Sequence, residues 1–116
     1  MMTQDALETF MYSLGKVRRE YPFEERLAVY KLEDETREPM IALVEEESSP
    51  LRVSLRCDPQ LARMLRERYE TVLPGQNLSK KHWNTIICSG QLTEEEVLDL
   101  VRHSFLLAQK DIDSVQ

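Results

Sequence analysis

Along residues 3–14 the apolar side chains Ala6, Leu7, Phe10, Met11 and Leu14 return at every third or fourth position. That interval stacks them on one stripe of an α-helix. Thr3 or Asp5 can cap its start, and Gly15 can close it in a left-handed conformation. Residues 16–23 lose the helical period and read as a connection. It ends in Tyr21-Pro22-Phe23, two aromatics around a proline that forces an extended approach, an arrangement expected to seal the edge of a core.

The period then changes. Residues 26–33 are rich in β-formers, 34–37 are a polar turn, and 39–44 form a continuous apolar run, which together predict a hairpin. After Glu45-Glu46-Glu47 and Ser48-Ser49-Pro50, the next strand alternates: Leu51, Val53, Leu55 and Cys57 share one face, Arg52, Ser54 and Arg56 the other. Asp58-Pro59 is a helix start, an N-cap followed by a residue that needs no amide partner. The helix runs to about Tyr69, with Leu61, Met64, Leu65 and Tyr69 toward the core. Pro74-Gly75 breaks regular structure, and residues 85–88 have the length and β-branching of a strand. The last helix opens on Thr93-Glu94-Glu95-Glu96, a capping box with an acidic first turn. Its broad stripe of Val97, Val101, Ser104, Phe105 and Ala108, widened by four leucines, implies deep burial against the sheet or a partner surface. Residues 110–116 are polar and expected to fray.

These elements give an α+β fold class, a mainly antiparallel sheet with helices packed on it. At 116 residues the chain fits one domain, 1–116, without need of disulfides or metal. No apolar run approaches the roughly 18 residues of a membrane span, and the start of the chain lacks the basic and apolar segments of a secretory signal, so the expected compartment is the cytoplasm. Cys57 and Cys88 are too few and too far apart for a disulfide framework or a metal-ligand spacing and read as buried thiols. No Gly-rich phosphate loop, nucleophile elbow, HExxH or CxxC is present. The expectation is a non-enzymatic protein without a cofactor.

The net charge of -6 opposes general nucleic-acid binding, which draws on cations displacing phosphate counterions. Its distribution is uneven: between Arg52 and Lys81 seven basic residues face three acidic ones. Arg52 and Arg56 stand about 13 Å apart on one strand face, at roughly 3.3 Å per residue. They can pair with glutamates across strands or contact phosphates. The stretch from Lys80 through Lys81, His82, Trp83 and Asn84 to Thr85 gathers the only tryptophan, one of two histidines and the only adjacent lysine pair. Lys80 and Lys81 suit phosphate contact. His82 and Asn84 can satisfy backbone groups of an irregular segment, and Trp83 is foremost a packing anchor fastening a loop to the next strand. His103, beside the apolar stripe of the last helix, reads as hydrogen-bonded structure.

Pro74-Gly75-Gln76-Asn77-Leu78-Ser79-Lys80-Lys81-His82-Trp83-Asn84-Thr85-Ile86 resembles the signature of the MmcQ/YjbR-like family of small bacterial proteins. Tyr21-Pro22-Phe23, Leu55-Arg56-Cys57-Asp58-Pro59 and His103-Ser104 also fall at the expected places, so the resemblance covers nearly the whole chain. Gln76, Asn77 and Ser79 depart from the usual tyrosine, histidine and asparagine. The resemblance implies a secretion-chaperone-like fold, sometimes described as a double wing, and a DNA-binding role. The expected interface is Arg52, Arg56, Lys80, Lys81 and His82, meeting DNA or another polyanion. The alternative is a protein-interaction or chaperone-like module, a homodimer in its simplest form.

Overall fold

The computed structural model describes residues 1–75 and 78–114; the departures at Gln76 and Asn77 lie outside the described residues. Helix α1 (Gln4–Leu14) is followed by strands β1 (Val17–Glu20), β2 (Leu27–Leu32), β3 (Met40–Glu45) and β4 (Arg52–Arg56). Helix α2 (Pro59–Arg68), β5 (Val72–Pro74), β6 (Trp83–Ile87) and α3 (Glu94–Asp113) complete the chain. All five strand pairings are antiparallel, and the sheet order is β1-β2-β3-β4-β6-β5. The expected α+β class is therefore the observed one.

The main core lies on one face. Ala28, Tyr30, Ala42, Val44, Val53, Leu55 and Ile86 meet Leu7 and Met11 of α1 and Val97, Val101, Phe105 and Ala108 of α3. Leu65 of α2 packs against the same cluster. On the opposite face Val29, Leu43 and Trp83 form a smaller cluster, supported by Leu27, Met40 and Leu78 and, among the described residues, joined by no helical one. Strand alternation produces both: neighbours in β3 point to opposite sides.

Local signals account for the helix starts. Thr3 accepts from the Ala6 amide, Asp58 from those of Gln60 and Leu61, and Thr93 and Glu96 form the complete capping box. Gly15, expected in a left-handed conformation, has φ 172, which is extended backbone open to any residue. Its glycine is explained by space instead, since a Cβ there would lie 2.9 Å from Cζ of Phe105.

Several expectations need correction. The supposed connection contains β1, whose Val-Arg-Arg-Glu sequence hides a strand because charged side chains suit a sheet edge. Tyr21 and Phe23 do not seal the core; they are 44% and 65% exposed. Met64 is also exposed, because α2 buries Ala62 rather than a long stripe. Pro74 closes β5 instead of breaking structure, and the Gly75 amide still pairs with the Trp83 carbonyl at 2.9 Å. A proline is compatible with this position because β5 is an edge strand. The following strand begins at Trp83, so Trp83 and Asn84 belong to the sheet itself. Helix α3 continues to Asp113, through most of the segment expected to fray.

One side chain joins helix to sheet at a ladder end. The β2–β3 register slips between Tyr30 and Lys31, leaving Ile41 as the extra residue of a bulge. The regular β3–β4 pairing stops at Ala42 and Leu55. Beyond it, the Ser104 hydroxyl accepts from the Arg56 amide at 3.1 Å and donates to the Ile41 carbonyl at 2.6 Å, so that it bridges β4 and β3 where their backbone ladder has ended. The adjacent His103 accepts the Asp58 amide at Nε2, 3.1 Å away, which is the structural role expected for it.

Candidate functional site

Asn84 is the pivot of the site. It is 2% exposed, and a buried amide must find both a donor and an acceptor. Its Nδ2 donates to the Ala62 carbonyl of α2 at 3.1 Å, and its Oδ1 accepts from Arg66 Nη1 at 2.7 Å. The same guanidinium nitrogen donates to the Lys80 carbonyl at 3.1 Å. Helix α2, strand β6 and the turn before β6 are thereby tied together. The turn is further fixed by the His82 amide donating to Ser79 and the His82 carbonyl accepting from Cys57, at 3.2 and 2.7 Å.

This bracing creates a surface cleft of about 320 Å³, lined by Pro59, Gln60, Arg63, Arg66 and Lys81. Arg63, Arg66, Lys80 and Lys81 take part in no ion pair among the described residues. Asp58 already occupies the first free amides of α2, so the attraction for an anion comes from the side chains and not from helix N–H groups.

The structure divides the residues expected from sequence. Lys80, Lys81 and His82 lie together and exposed on one turn, beside the cleft. Arg52 sits at the far end of β4, 3.4 Å from Glu45 on the neighbouring strand. Arg56 is held by Asp111 of α3 at 2.6 Å, and that bond keeps the Asp111 carboxyl below its usual range. Both arginines are thus locally neutralised, and neither lines the cleft. The cleft instead gathers Arg63 and Arg66 of α2, neither of them among the residues expected at the interface. Their three-residue spacing puts them on one side of α2, and the cleft forms where Arg66 meets Asn84 and the Lys80 carbonyl.

Trp83 occupies the other side of β6. It is 8% exposed and packs with Val29 and Leu43 across the open sheet face. Gly75 permits this, because a Cβ there would stand 2.7 Å from the Trp83 Cβ. The anchoring role expected of Trp83 is fulfilled inside the sheet.

Neither thiol lines the cleft, although the Cys57 amide helps to fix the turn beside it. Cys57 and Cys88 are buried, and burial pushes each up to about 11, with Asp58 adding to the effect at Cys57. No helix among the described residues is long and apolar enough to cross a membrane.

Residues 12–107 match the YjbR family model. The chain is 35% identical over 66 residues to the uncharacterised protein YjbR of Escherichia coli, a match covering 57% of this chain and 56% of that protein. It is 33% identical over 57 residues to the uncharacterised protein YyaQ of Bacillus subtilis, covering 49% and 48%. The chain thus spans about half the length of the curated relatives it matches. Among solved structures, a Deinococcus radiodurans protein carrying the DUF419 domain superposes with a TM-score of 0.90 at 33% identity. That superposition covers 95% of this chain and 80% of the other. A Pseudomonas syringae protein, at 20% identity and TM-score 0.75 over 92% of this chain and 99% of its own, shares the fold. With the family model spanning most of the chain and the fold matching throughout, this protein belongs to the YjbR family.

Proposed function

We propose that the chain is a non-enzymatic binding protein that takes DNA or another polyanion at the cleft between α2 and the turn before β6. The supporting observation is the convergence of Arg63, Arg66 and Lys81, with Lys80 adjacent, without an acidic partner among the described residues of a chain whose net charge is -6. In an acidic molecule, cations left unneutralised at one place form the surface that a polyanion can approach. Arg66 is the positioned member, held by Asn84 and the Lys80 carbonyl; Arg63 and Lys81 are exposed and free to follow a phosphate backbone.

Fluorescence anisotropy with labelled duplex and single-stranded DNA tests the reading. Three phosphate contacts give a slope of roughly -3 in log K against log salt for duplex. The pair Arg63→Glu and Lys81→Glu is expected to weaken binding at least about tenfold and flatten that slope. Arg52→Glu is expected to change little. Absence of binding at micromolar protein in low salt refutes the reading, as does binding indifferent to the Arg63 and Lys81 changes.

A further inference from the structure

The helix-free face of the sheet carries a second concavity of different chemistry. Phe23 and Glu24 border one side and Leu78 the other. Leu27, Leu43, Glu45 and Ser54 line it from successive strands, with Phe23 and Glu24 at its edge, around a volume of about 530 Å³. That volume lies in the range of sites for drug-sized organic molecules.

The lining selects among ligands. Phe23, Leu27, Leu43 and Leu78 are apolar, while the charged members, Glu24 and Glu45, are both acidic. Glu45 shares Arg52, whereas Glu24 joins no ion pair among the described residues. Phe23 next to it is 65% exposed. An aromatic ring beside an unpaired carboxylate attracts cations and repels anions. Ser54, the polar uncharged member of the lining, shares a hydrogen bond of 2.7 Å with Thr85. A peptide strand has no comparable purchase, because β2, β3 and β4 are interior strands paired on both sides.

We infer that this groove binds a small amphipathic organic cation, an amine on an apolar aryl or alkyl body. The body lies over Leu27, Leu43 and Leu78, and the ammonium meets Glu24 and the Phe23 ring. This site is separate from the polyanion cleft, and its charge preference is opposite.

Trp83, the only tryptophan, belongs to the same cluster as Leu43 and Leu78, so its emission reports on the groove. The full chain is titrated with 4-phenylbutylamine, 4-phenylbutanol and 4-phenylbutyrate, which keep one body and vary the charge. The amine is expected to saturate below about 5 mM and to bind about tenfold tighter than the carboxylate. Amide shifts are expected at Leu27, Leu43 and Ser54. Glu24→Gln weakens the amine about fivefold and leaves the alcohol unchanged, while Glu95→Gln on α3 alters neither. No saturable amine binding, equal binding of the carboxylate, or equal losses in both variants overturns the inference. So do shifts at those amides that grow with protein concentration without ligand, which identify a second copy of the chain as the occupant.

Discussion

Leu43 and Val44 are consecutive in β3, yet they meet different surroundings. Val44 faces the main core beneath the helices; Leu43 faces a cluster completed by two other buried residues, Val29 and Trp83. Layers of helix supply the first face with continuous apolar cover. The second is covered by loops and one indole, and its remaining space becomes a groove. In a single sheet, then, one face is committed to stability while the other holds less apolar mass and leaves room for a ligand.

Truncation on the two faces gives the largest contrast. Leu7→Ala, in the fully enclosed core, is expected to cost about 3–5 kcal/mol in chemical denaturation. Leu43→Ala is expected to cost only about 2 kcal/mol, because solvent reaches the adjoining groove and an open site is less costly to vacate. Equal losses would abolish the distinction between faces. Next comes Gly75→Ala, expected to cost about 1–3 kcal/mol through overpacking against Trp83. A red shift of the Trp83 emission should accompany it, and an unchanged spectrum would show that the backbone accommodates the methyl group without moving the indole.

The smallest effect separates the faces by pH. Cys57 and Cys88, both on the covered side, have folded pKa values of about 11 against 9.0 ordinarily. Raised folded values favour the protonated thiols, so the stability they contribute is complete below pH 9 and is lost as pH rises through about 11. Tyr30, raised chiefly by burial and next by its bond to Glu8, acts in the same direction at higher pH. Urea midpoints should fall across that alkaline window, and Cys88→Ala should shallow the fall. Asp111, lowered by Arg56, works oppositely: its contribution is present above the ordinary carboxyl value of 3.8 and is lost as pH falls through the folded value. A midpoint that holds steady to pH 11 would mean that the thiols are not desolvated as described.

The legible parts of the fold were those written locally. Thr93 and Glu96, or Asp58 and Pro59, announce helix starts through bonds within a few residues, and they were read correctly. Strands β1 and β5 were missed because an edge strand needs neither alternation nor β-formers when its partner supplies the ladder. Gly15 and Gly75 were misread as turn formers; each is small because an aromatic from elsewhere, Phe105 or Trp83, comes against it. The site shows the same limit. Lys80 and Lys81 stand out in sequence, but the neutralisation of Arg56 by Asp111 and the gathering of Arg66 by Asn84 connect residues 55 and 18 positions apart. No local pattern encodes such meetings.

The Ser104 hydroxyl keys α3 to the sheet. A shift of that helix by one turn, about 5.4 Å, would carry the hydroxyl beyond reach of Ile41 and Arg56 together and strand a backbone donor and acceptor at the ladder's end. Sliding of α3 over the strands is thereby discouraged, and helix and sheet are held in one register.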